Sequence, residues 1–559
     1  MAIRKHVSWD GEKFRGYVDL GNDVEEDDSA PVAKDALVLM AVSVNNTWKV
    51  PCGYFFVDGL SGAERANLVK VCIKKLHDAG VDVVSLTCDG PSCHIKMLTE
   101  LGACLKPVNL QPYFVHPHNK NKKVHVLLDV CHMLKLIRNT LEEGGVLMDK
   151  DGNKVYWQYI IALHKLQDEE GLRLGNKLNL AHIQWWQQKM KVNLAAQAFS
   201  SSVADAIEYC TNTLKLPQYQ GSEATVQFIR LFDRYFDILN SRNPCAKGFK
   251  SALRINNKAA WDPFLDEAYH YIIGLKDTSG KLMYTTRRKT GFIGFLLAIK
   301  SIKGIFFDLV EEEQAPMKYL LTYKFSQDHL ELFFGAVRSS GGFNNNPTAQ
   351  QFTAAYKRLL LRSSIEGGKG NCQKIDQTDI LQVIGDTCTT NDQTVTITNA
   401  ALIRKYDLAE RSPVQHDHDY SDAPNIVNIS EYKKAAISYI AGYVVQMTQR
   451  KFYVELAVNR LVREPTKSVI DVCEETENCF ERMLTSTNGK LPQVRGIPDA
   501  IATTVLSGID SANIFKDLDE HMLDTPVTDN HTFSLTKTIS QCYSESAPLP
   551  PWKRNHRKT

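Results

Sequence analysis

The hydrophobic period changes once along this chain, and that change limits what the chain can fold into. Through residues 1–140 the apolar residues gather in short runs of strand length. From 141 to 315 they return every three or four residues. Short runs bounded by turn residues read as strands, and 3.6-residue spacing reads as helix. A sheet-forming region therefore precedes a long helical one. At 559 residues the chain far exceeds the roughly 150 of an ordinary domain, so about two to four folded units are expected.

In the first region, "KHVSWDGEKFRGYVDLG" sets Asp10-Gly11 between two extended runs, a hairpin signal. "ALVLMAVSV" and "VPCGYFFVDGL" read as strands. Ser61 with Glu64 three residues on is a capping box. The helix it opens has an apolar stripe of Leu68, Val69, Cys72, Ile73 and Leu76, and Gly80 stops it. "VDVVSLTCDG" is a buried strand ending at Asp89. "HIKMLTELG" is a short helix, and "VHVLLDVCHMLKLIRN" is a strand passing into a helix at Asp129. Antiparallel strands followed by strand–helix alternation predict an α/β sheet with a meander edge, the ribonuclease H-like order of elements. The middle third, with "ATVQFIRLFDRYFDILNSR" as its clearest segment, predicts helices. Phe228, Leu231, Phe232, Tyr235 and Leu239 form a core stripe there, and Trp185 and Trp186 are expected in the core or packed on the sheet.

Composition excludes some classes. No run of about 18 apolar residues exists, so no membrane span is expected. The N-terminus lacks an apolar signal core. Thirteen cysteines are scattered without a C-x-x-C pair, which predicts free thiols in the cytosol or nucleus. A net charge of +2 is compatible with a local basic groove. No phosphate-binding loop of the G-x-x-x-x-G-K-[ST] type is present. The basic, glycine-bearing "TTRRKTGFIG" either touches phosphate or opens a solvated helix.

Three places carry chemistry. Asp89 sits just past the carboxyl end of a strand, where α/β sheets tend to place reactive groups. It is either a metal-reaching carboxylate or a turn residue before Gly90. Asp129 is either the N-cap of the helix it precedes or a metal ligand, and His132 is a structural histidine. The stretch "YKFSQDHLELFFGAVRSSGGFNNNPTAQQF" (323–352) is a helix with Ser326 as expected N-cap and a buried stripe of Leu330, Phe333, Phe334 and Val337. Asp328, Glu331, Gly335 and Arg338 share another face. Two carboxylates there can hold a divalent cation, the glycine leaves a gap that admits a backbone, and Arg338 suits a DNA phosphate. Asp328 alternatively serves the helix dipole. Asn346-Pro347 is expected to start the next helix.

These residues bring a family into view. "SQDHLELFFGAVRSSGGFNNNPTAQQFTAAYKRLL", "LTCDG", "DVCHMLKLIRN", "LAAQAFSSSVADAI", "FDILNSR" and "YIAGYVV" resemble the P-element-like transposases, including the vertebrate members that carry an N-terminal THAP domain. The resemblance covers about residues 1–450. It implies a ribonuclease H-like domain interrupted by a large all-α insertion that binds GTP. It divides the chain into a first ribonuclease H-like part at 1–140, the insertion at 141–315 and closing helices at 316–365; composition adds a C-terminal helical region with a polar linker at 366–465 and a partly disordered tail at 466–559. It implies DNA cleavage and strand transfer in the nucleus, with Mg²⁺ or Mn²⁺ held by an Asp-Asp-Glu set and with DNA and a second copy of the chain as partners. Asp89 is then the second acid and Glu331 the last, with Asp129 and Asp328 as additional candidates. The family's first acid lies in a pattern like "DEMAI", of which this chain has Met1–Ile3, and no cysteine of a THAP domain precedes Cys52. An N-terminally truncated transposase with impaired cleavage is the resulting expectation, and Asp10 lies too far along the hairpin to substitute. The alternative is a domesticated, non-catalytic DNA- or GTP-binding module.

Overall fold

A computed structural model of the chain describes residues 1–9, 11, 14–21, 30–184, 186, 188–342, 344–360, 379–380, 431–452, 465–486, 501–505 and 531–546. The hairpin expected around Asp10-Gly11 forms, with β1 (Ser8–Trp9) antiparallel to β2 (Phe14–Arg15); Asp10 itself lies outside the described residues. Gly16 closes the hairpin's base. Its φ is +120°, and a Cβ there would strike the carbonyl of His6, so only glycine allows this approach.

β3 (Asp35–Val42) pairs antiparallel with β4 (Trp48–Val57). Residues 1–3 run along β3: Ala2 lies opposite Asp35, Ile3 N–H donates to Lys34 O at 2.9 Å, and the Met1 ammonium donates to Ala36 O at 2.9 Å. α1 (Gly62–Asp78) opens with both bonds of the expected capping box, Glu64 N–H to Ser61 Oγ at 3.2 Å and Ser61 N–H to Glu64 Oε2 at 2.7 Å. Gly80, at φ +77°, lies just beyond its end. A second sheet follows, from β5 (Ser85–Cys88), β6 (Tyr113–His116) and β7 (Asn119–Leu128), in the order β5-β7-β6 with β5 and β7 parallel. α2 (Ser92–Leu101) lies between β5 and β6, and α3 (Val130–Gly144) leaves the end of β7.

Helices then dominate, as the period predicts. A small hairpin of β8 (Val146–Met148) and β9 (Lys154–Tyr156) comes first, where only helix was expected. Then come α4 (Gln158–Glu169), α5 (Leu180–Ile183), α6 (Val192–Ala198), α7 (Ser201–Asn212), α8 (Glu223–Leu239), α9 (Lys258–Gly274) and α10 (Lys289–Phe306). The α8 stripe of Phe228, Leu231, Phe232, Tyr235 and Leu239 is buried throughout. Trp186 is 57% exposed, which corrects its assignment to the core. It lies in a short 3-10 turn between α5 and α6; Trp185 lies outside the described residues. The glycines of "TTRRKTGFIG" serve packing. A Cβ at Gly291 would lie 3.0 Å from Ile137 Cγ1 and 3.1 Å from Leu136 Cβ, and one at Gly294 would strike Met133. α10 thereby lies tight against α3 and β7, and Arg288 beside those glycines pairs with Glu143.

α11 (Asp328–Ser340) and α12 (Ala349–Leu360) close a separate core with the first sheet, built from Ile3, Val38, Phe56, Phe333, Val337 and Phe352, among others. Two caps differ from expectation. Gln327, not Ser326, occupies the N-cap position of α11, without a side-chain cap bond; the Ser326 hydroxyl donates to Tyr323 O at 2.8 Å and accepts from Asp328 N–H at 3.4 Å. α12 begins after Thr348, whose Oγ1 accepts from Gln351 N–H at 3.2 Å while Gln351 Oε1 accepts from Thr348 N–H at 3.0 Å. Thr-x-x-Gln is a capping box, and it displaces the start from Asn346-Pro347.

At the C-terminal end α13 (Glu431–Phe452), α14 (Lys467–Ser486) and α15 (His531–Ser546) pack together around Ile437, Val472, Cys473, Ile539 and Tyr543. The Tyr209 hydroxyl donates to Ala435 O at 2.9 Å and joins α13 to α7. Within the 466–559 tail expected to be partly disordered, 467–486 and 531–546 are helical; the linker at 410–424 and residues 547–559 lie outside the described residues. Among the described residues no helix is long and apolar enough to cross a membrane.

A Cβ on Gly304 would strike the buried ring of His125, whose Nε2 lies 2.7 Å from Asp308 Oδ2. Gly304→Ala will therefore destabilise the fold by about 1–3 kcal/mol, the cost of overpacking a filled site, seen as a lower thermal unfolding midpoint.

Candidate active site at the strand ends

Cys88 and Leu128 are paired at the ends of parallel β5 and β7. Asp89 and Asp129 are the next residues of each chain segment, and Asp129 N–H donates to Cys88 O at 2.9 Å. Two carboxylates therefore leave adjacent strand ends. Gly90 is not a turn glycine. A Cβ there would lie 2.6 Å from Thr290 Cγ2, so it lets the start of α10 come in behind Asp89.

The two aspartates have opposite environments. The Asp89 side chain is 44% exposed, and its Oδ1 lies 2.7 Å from His94 Nδ1 in the first turn of α2. Burial pushes its carboxyl up, but the His94 hydrogen bond and charge, aided by His132, outweigh burial and hold it below the usual aspartate value. Asp129 is buried. Its Oδ2 accepts from His132 N–H at 2.9 Å and so caps α3, one of the two roles expected of it. Its Oδ1 accepts from Gln327 N–H at 3.0 Å, at the mouth of α11. Burial pushes this carboxyl up to about 6; Asp328 and Glu331 add to the rise, and the two backbone donors oppose it.

The approach to α11 is fixed from two sides. Thr87 Oγ1 on β5 donates to Phe325 O at 2.9 Å. From the end of α8, Ser241 N–H donates to Thr322 Oγ1 at 3.0 Å, and that hydroxyl donates to Ile238 O at 2.5 Å. Arg242 then pairs with Asp328 and lies over the Tyr323 ring, 5.4 Å from its centroid. Asp328, named as an additional metal candidate, has a guanidinium as its partner. Glu331 is exposed one turn further along, with Gly335 and the half-buried Arg338 on the same side. No side-chain contact holds all the candidates together. The electrostatic neighbours place them: Asp129 feels Asp328 and Glu331. The Met1 ammonium, held down by burial, feels Asp35, Arg338 and Asp89 in that order.

Sequence reasoning missed His94 and Arg242. A histidine five residues after an aspartate at a strand end was a usable signal for the first. Nothing local marked the second.

A hard cation suits this donor set. Mg²⁺ is commonly held by one or two carboxylates plus waters and substrate phosphates, and Asp89 and Glu331 supply oxygens only. Among the described residues no group of three or more His, Cys, Asp or Glu is arranged to hold a metal ion.

Carboxylates at neighbouring strand ends, a closing helix that carries a further acid, and a long helical excursion between them define a ribonuclease H-like fold interrupted by an insertion that is helical apart from the β8–β9 hairpin. Comparison with known proteins agrees. Family models match for a TNP-like RNase H N-terminal domain (residues 1–102), a TNP-like GTP-binding insertion domain (131–252), a TNP-like RNase H C-terminal domain (323–357) and the C-terminal domain of DNA transposase THAP9 (458–546). The chain is 29% identical to DNA transposase THAP9 of Homo sapiens over 100% of its own length and 64% of that protein's. It is 27% identical to the transposable element P transposase of Drosophila melanogaster over 57% of its own length and 40% of that protein's. It thus spans less than two thirds of either relative. The Drosophila P element transposase strand transfer complex shares the fold, with a TM-score of 0.53 and 24% identity over 64% of this chain and 74% of that one. The chain belongs to the P-element-like transposase family and is a transposase-like protein.

Two outcomes follow from the geometry. The folded form binds the Asp129 proton more tightly than the unfolded form, about 6 against the ordinary 3.8. That stability is fully present below pH 4 and is lost as pH rises through 6. Asp129→Asn removes about 3 kcal/mol of this pH dependence while leaving one backbone N–H unmatched at a cost of about 1–3 kcal/mol; denaturant unfolding at pH 4 and pH 7.5 reads both. Arg242→Ala costs about 1–3 kcal/mol, between the values for exposed and buried ion pairs, and speeds amide exchange across residues 327–333.

Proposed function

We propose that this chain is a DNA-acting transposase-like protein of the nucleus whose strand-end site holds a divalent cation, Mg²⁺ or Mn²⁺, between Asp89 and Glu331. The observation that carries the reading is the double use of Asp129. Its second oxygen ties the mouth of α11 to the strand end beside Asp89, so the helix bearing Glu331 is fixed where Asp89 leaves the sheet. When bound, such a cation supplies charge stabilisation for phosphoryl displacement.

The chain's own residues do the rest. Asp89 stays ionised and half-exposed, and His94 orients it. Arg338 takes a DNA phosphate as a planar guanidinium fork. Gly335, with nothing within 4 Å of a Cβ built on it, leaves room for a nucleic-acid backbone. The helical insertion binds GTP, as its likeness to the GTP-binding insertion model suggests, and a second copy of the chain is a further partner. The divisions at 1–140, 141–315 and 316–365 remain our assignment of sheet, insertion and closing helices. With two carboxylates for the cation, we expect the polypeptide by itself to cleave DNA weakly or not at all.

The test combines binding and turnover. Mg²⁺ should raise the affinity of the full chain for nicked or hairpin DNA. Asp89→Asn and Glu331→Gln should each abolish that rise, a larger effect than the about 10–100-fold cost of losing an outer-shell partner. Indifference of DNA affinity to the cation sinks the metal assignment; metal-independent DNA or GTP binding with no cleavage supports the non-catalytic module instead. Robust cleavage by the chain alone overturns the expectation of impairment. Gly335→Ala should stabilise α11 by about 0.5–1 kcal/mol and yet weaken DNA binding.

A further inference from the structure

The segment between α5 and α6 is held from inside the protein and leaves its apolar side chains outside. Arg138 on α3 is fully buried. Its Nη2 donates to Gln188 O and to Lys189 O, each at 3.3 Å. Its Nε donates to Asn139 Oδ1 at 2.9 Å, and Glu142 Oε2 lies 3.4 Å from that nitrogen. A buried guanidinium that lost the two carbonyls would keep N–H groups unmatched, which is costly, so the segment is fixed where it meets α3. At the α5 end, Asn179 Oδ1 accepts from Ala181 N–H at 3.0 Å. The buried His182 sets its Nε2 3.1 Å from Gln197 Oε1 on α6. Yet Leu180, Trp186 and Met190 each have more than half of their surface exposed.

Single exposed apolar side chains are ordinary. Three of them within residues 180–190, on a segment anchored at both ends, mark a contact surface. The surrounding charge narrows the partner. Residues 171–204 contain no aspartate or glutamate, while Arg173, Lys177, Lys189 and Lys191 are basic. Lys189 and Lys191 are exposed on either side of Met190. Cations beside an exposed indole match a nucleic-acid strand, whose phosphates are anionic and whose bases each have a flat π-face. In an intact duplex those faces are stacked on one another, so only an unpaired base presents one. The place also fits. α3 leaves the strand ends with Asp129 as its cap, and Arg138 follows nine residues later. At 1.5 Å per residue that is about 14 Å along the helix, a reach of about four nucleotides at 3.4 Å each.

We propose, resting on the reading above that the chain acts on DNA, that Trp186 stacks on an unpaired DNA base near the strand-end site, with Lys189 and Lys191 taking the phosphates beside it. The Arg138 anchor holds the backbone of this segment before DNA arrives, which lowers the ordering cost of binding. Stacking on an indole is tolerant of sequence because every base has a π-face. The contact therefore sorts DNA by whether a base is unstacked and not by which base it is. It favours a nicked, frayed or overhanging end over an intact duplex, and so selects the form of DNA on which strand-end chemistry takes place.

The test measures binding of the full chain to a blunt duplex and to the same duplex with a single-stranded oligothymidine overhang. Trp186→Ala should lose about tenfold or more in affinity for the overhang DNA and nothing for the blunt duplex, with an unchanged thermal unfolding midpoint. Trp186→Phe should keep most of the affinity. Lys189→Gln with Lys191→Gln should flatten the slope of log affinity against log salt by about 1.4, two single-strand phosphate contacts at about 0.7 each. In the native chain, 5-iododeoxyuridine placed in the overhang should photo-crosslink to tryptic peptide 178–189 at Trp186. Equal affinity of the native chain and Trp186→Ala for overhang DNA overturns the proposal, including the case where the variant changes only self-association. So does an equal loss on both DNAs, or a crosslink that maps elsewhere. A native chain that binds neither DNA overturns the DNA reading as well, whereas the other failures leave that reading standing. The crosslink on the native chain decides the matter even if a variant folds poorly.

Discussion

The structure around the strand ends depends on one carboxylate with two backbone bonds. Asp129 gives one oxygen to α3 and the other to the mouth of α11, 198 residues further along the chain. Each helix mouth has N–H groups with no partner inside its own helix, and a buried donor left unmatched costs about 1–3 kcal/mol. Satisfying both from a single side chain fixes the distance between two helices that no loop connects directly. The whole helical insertion lies between them in sequence. Whatever the insertion does, the second helix has a defined place to return to.

The insertion is also tied in at that joint. Just past its α8, Ser241 reaches Thr322 in the segment before α11 and Arg242 reaches Asp328, the first residue of α11. α10 comes back to the sheet because Gly291, Gly294 and Gly304 remove the side chains that would hold it away from α3 and β7. Glycines in a helix weaken it locally, by roughly 0.5–1 kcal/mol each. Here the closer packing of a largely apolar helix offsets that loss. The joint therefore has a sheet side and an insertion side, and a change in the end of α8 acts directly on the first turn of the helix that bears Glu331.

Much of this was legible in the sequence where the cause is local. The Ser61–Glu64 capping box, the α8 stripe and the Asp129 cap involve residues within a few positions of one another, and all three are present. Local signals failed when two competed. Asn346-Pro347 spoke for a helix start, but Thr348 and Gln351 form the reciprocal bonds that actually begin α12. Ser326 was the better capping residue by type, yet it lies one residue before the N-cap position: its hydroxyl donates back to Tyr323 and reaches Asp328 N–H at 3.4 Å, while Asp129 takes the Gln327 N–H. The second oxygen of Asp129 and the Arg242–Asp328 pair were beyond reach because each links positions far apart in the chain. The expectation that Trp186 is buried failed: the residue sits in a short 3-10 turn between α5 and α6 with its side chain exposed.

The site's chemistry is sorted by environment more than by residue type. Asp89 and Asp129 are the same residue at the same level of neighbouring strands, and their carboxyls are displaced in opposite directions. Imidazoles and partial exposure keep Asp89 charged and open to solvent. Enclosure by Asp328, Glu331 and the low-dielectric interior moves Asp129 toward its protonated form. A cation arriving from solvent meets a carboxylate already ionised at Asp89, whereas at Asp129 it would have to displace two backbone donors from a buried group. By position Asp89 read evenly as a metal carboxylate or a turn residue, and Asp129 more as a cap. In the structure Asp89 is the carboxylate that is charged and reachable, while Asp129 holds together the helices around the site.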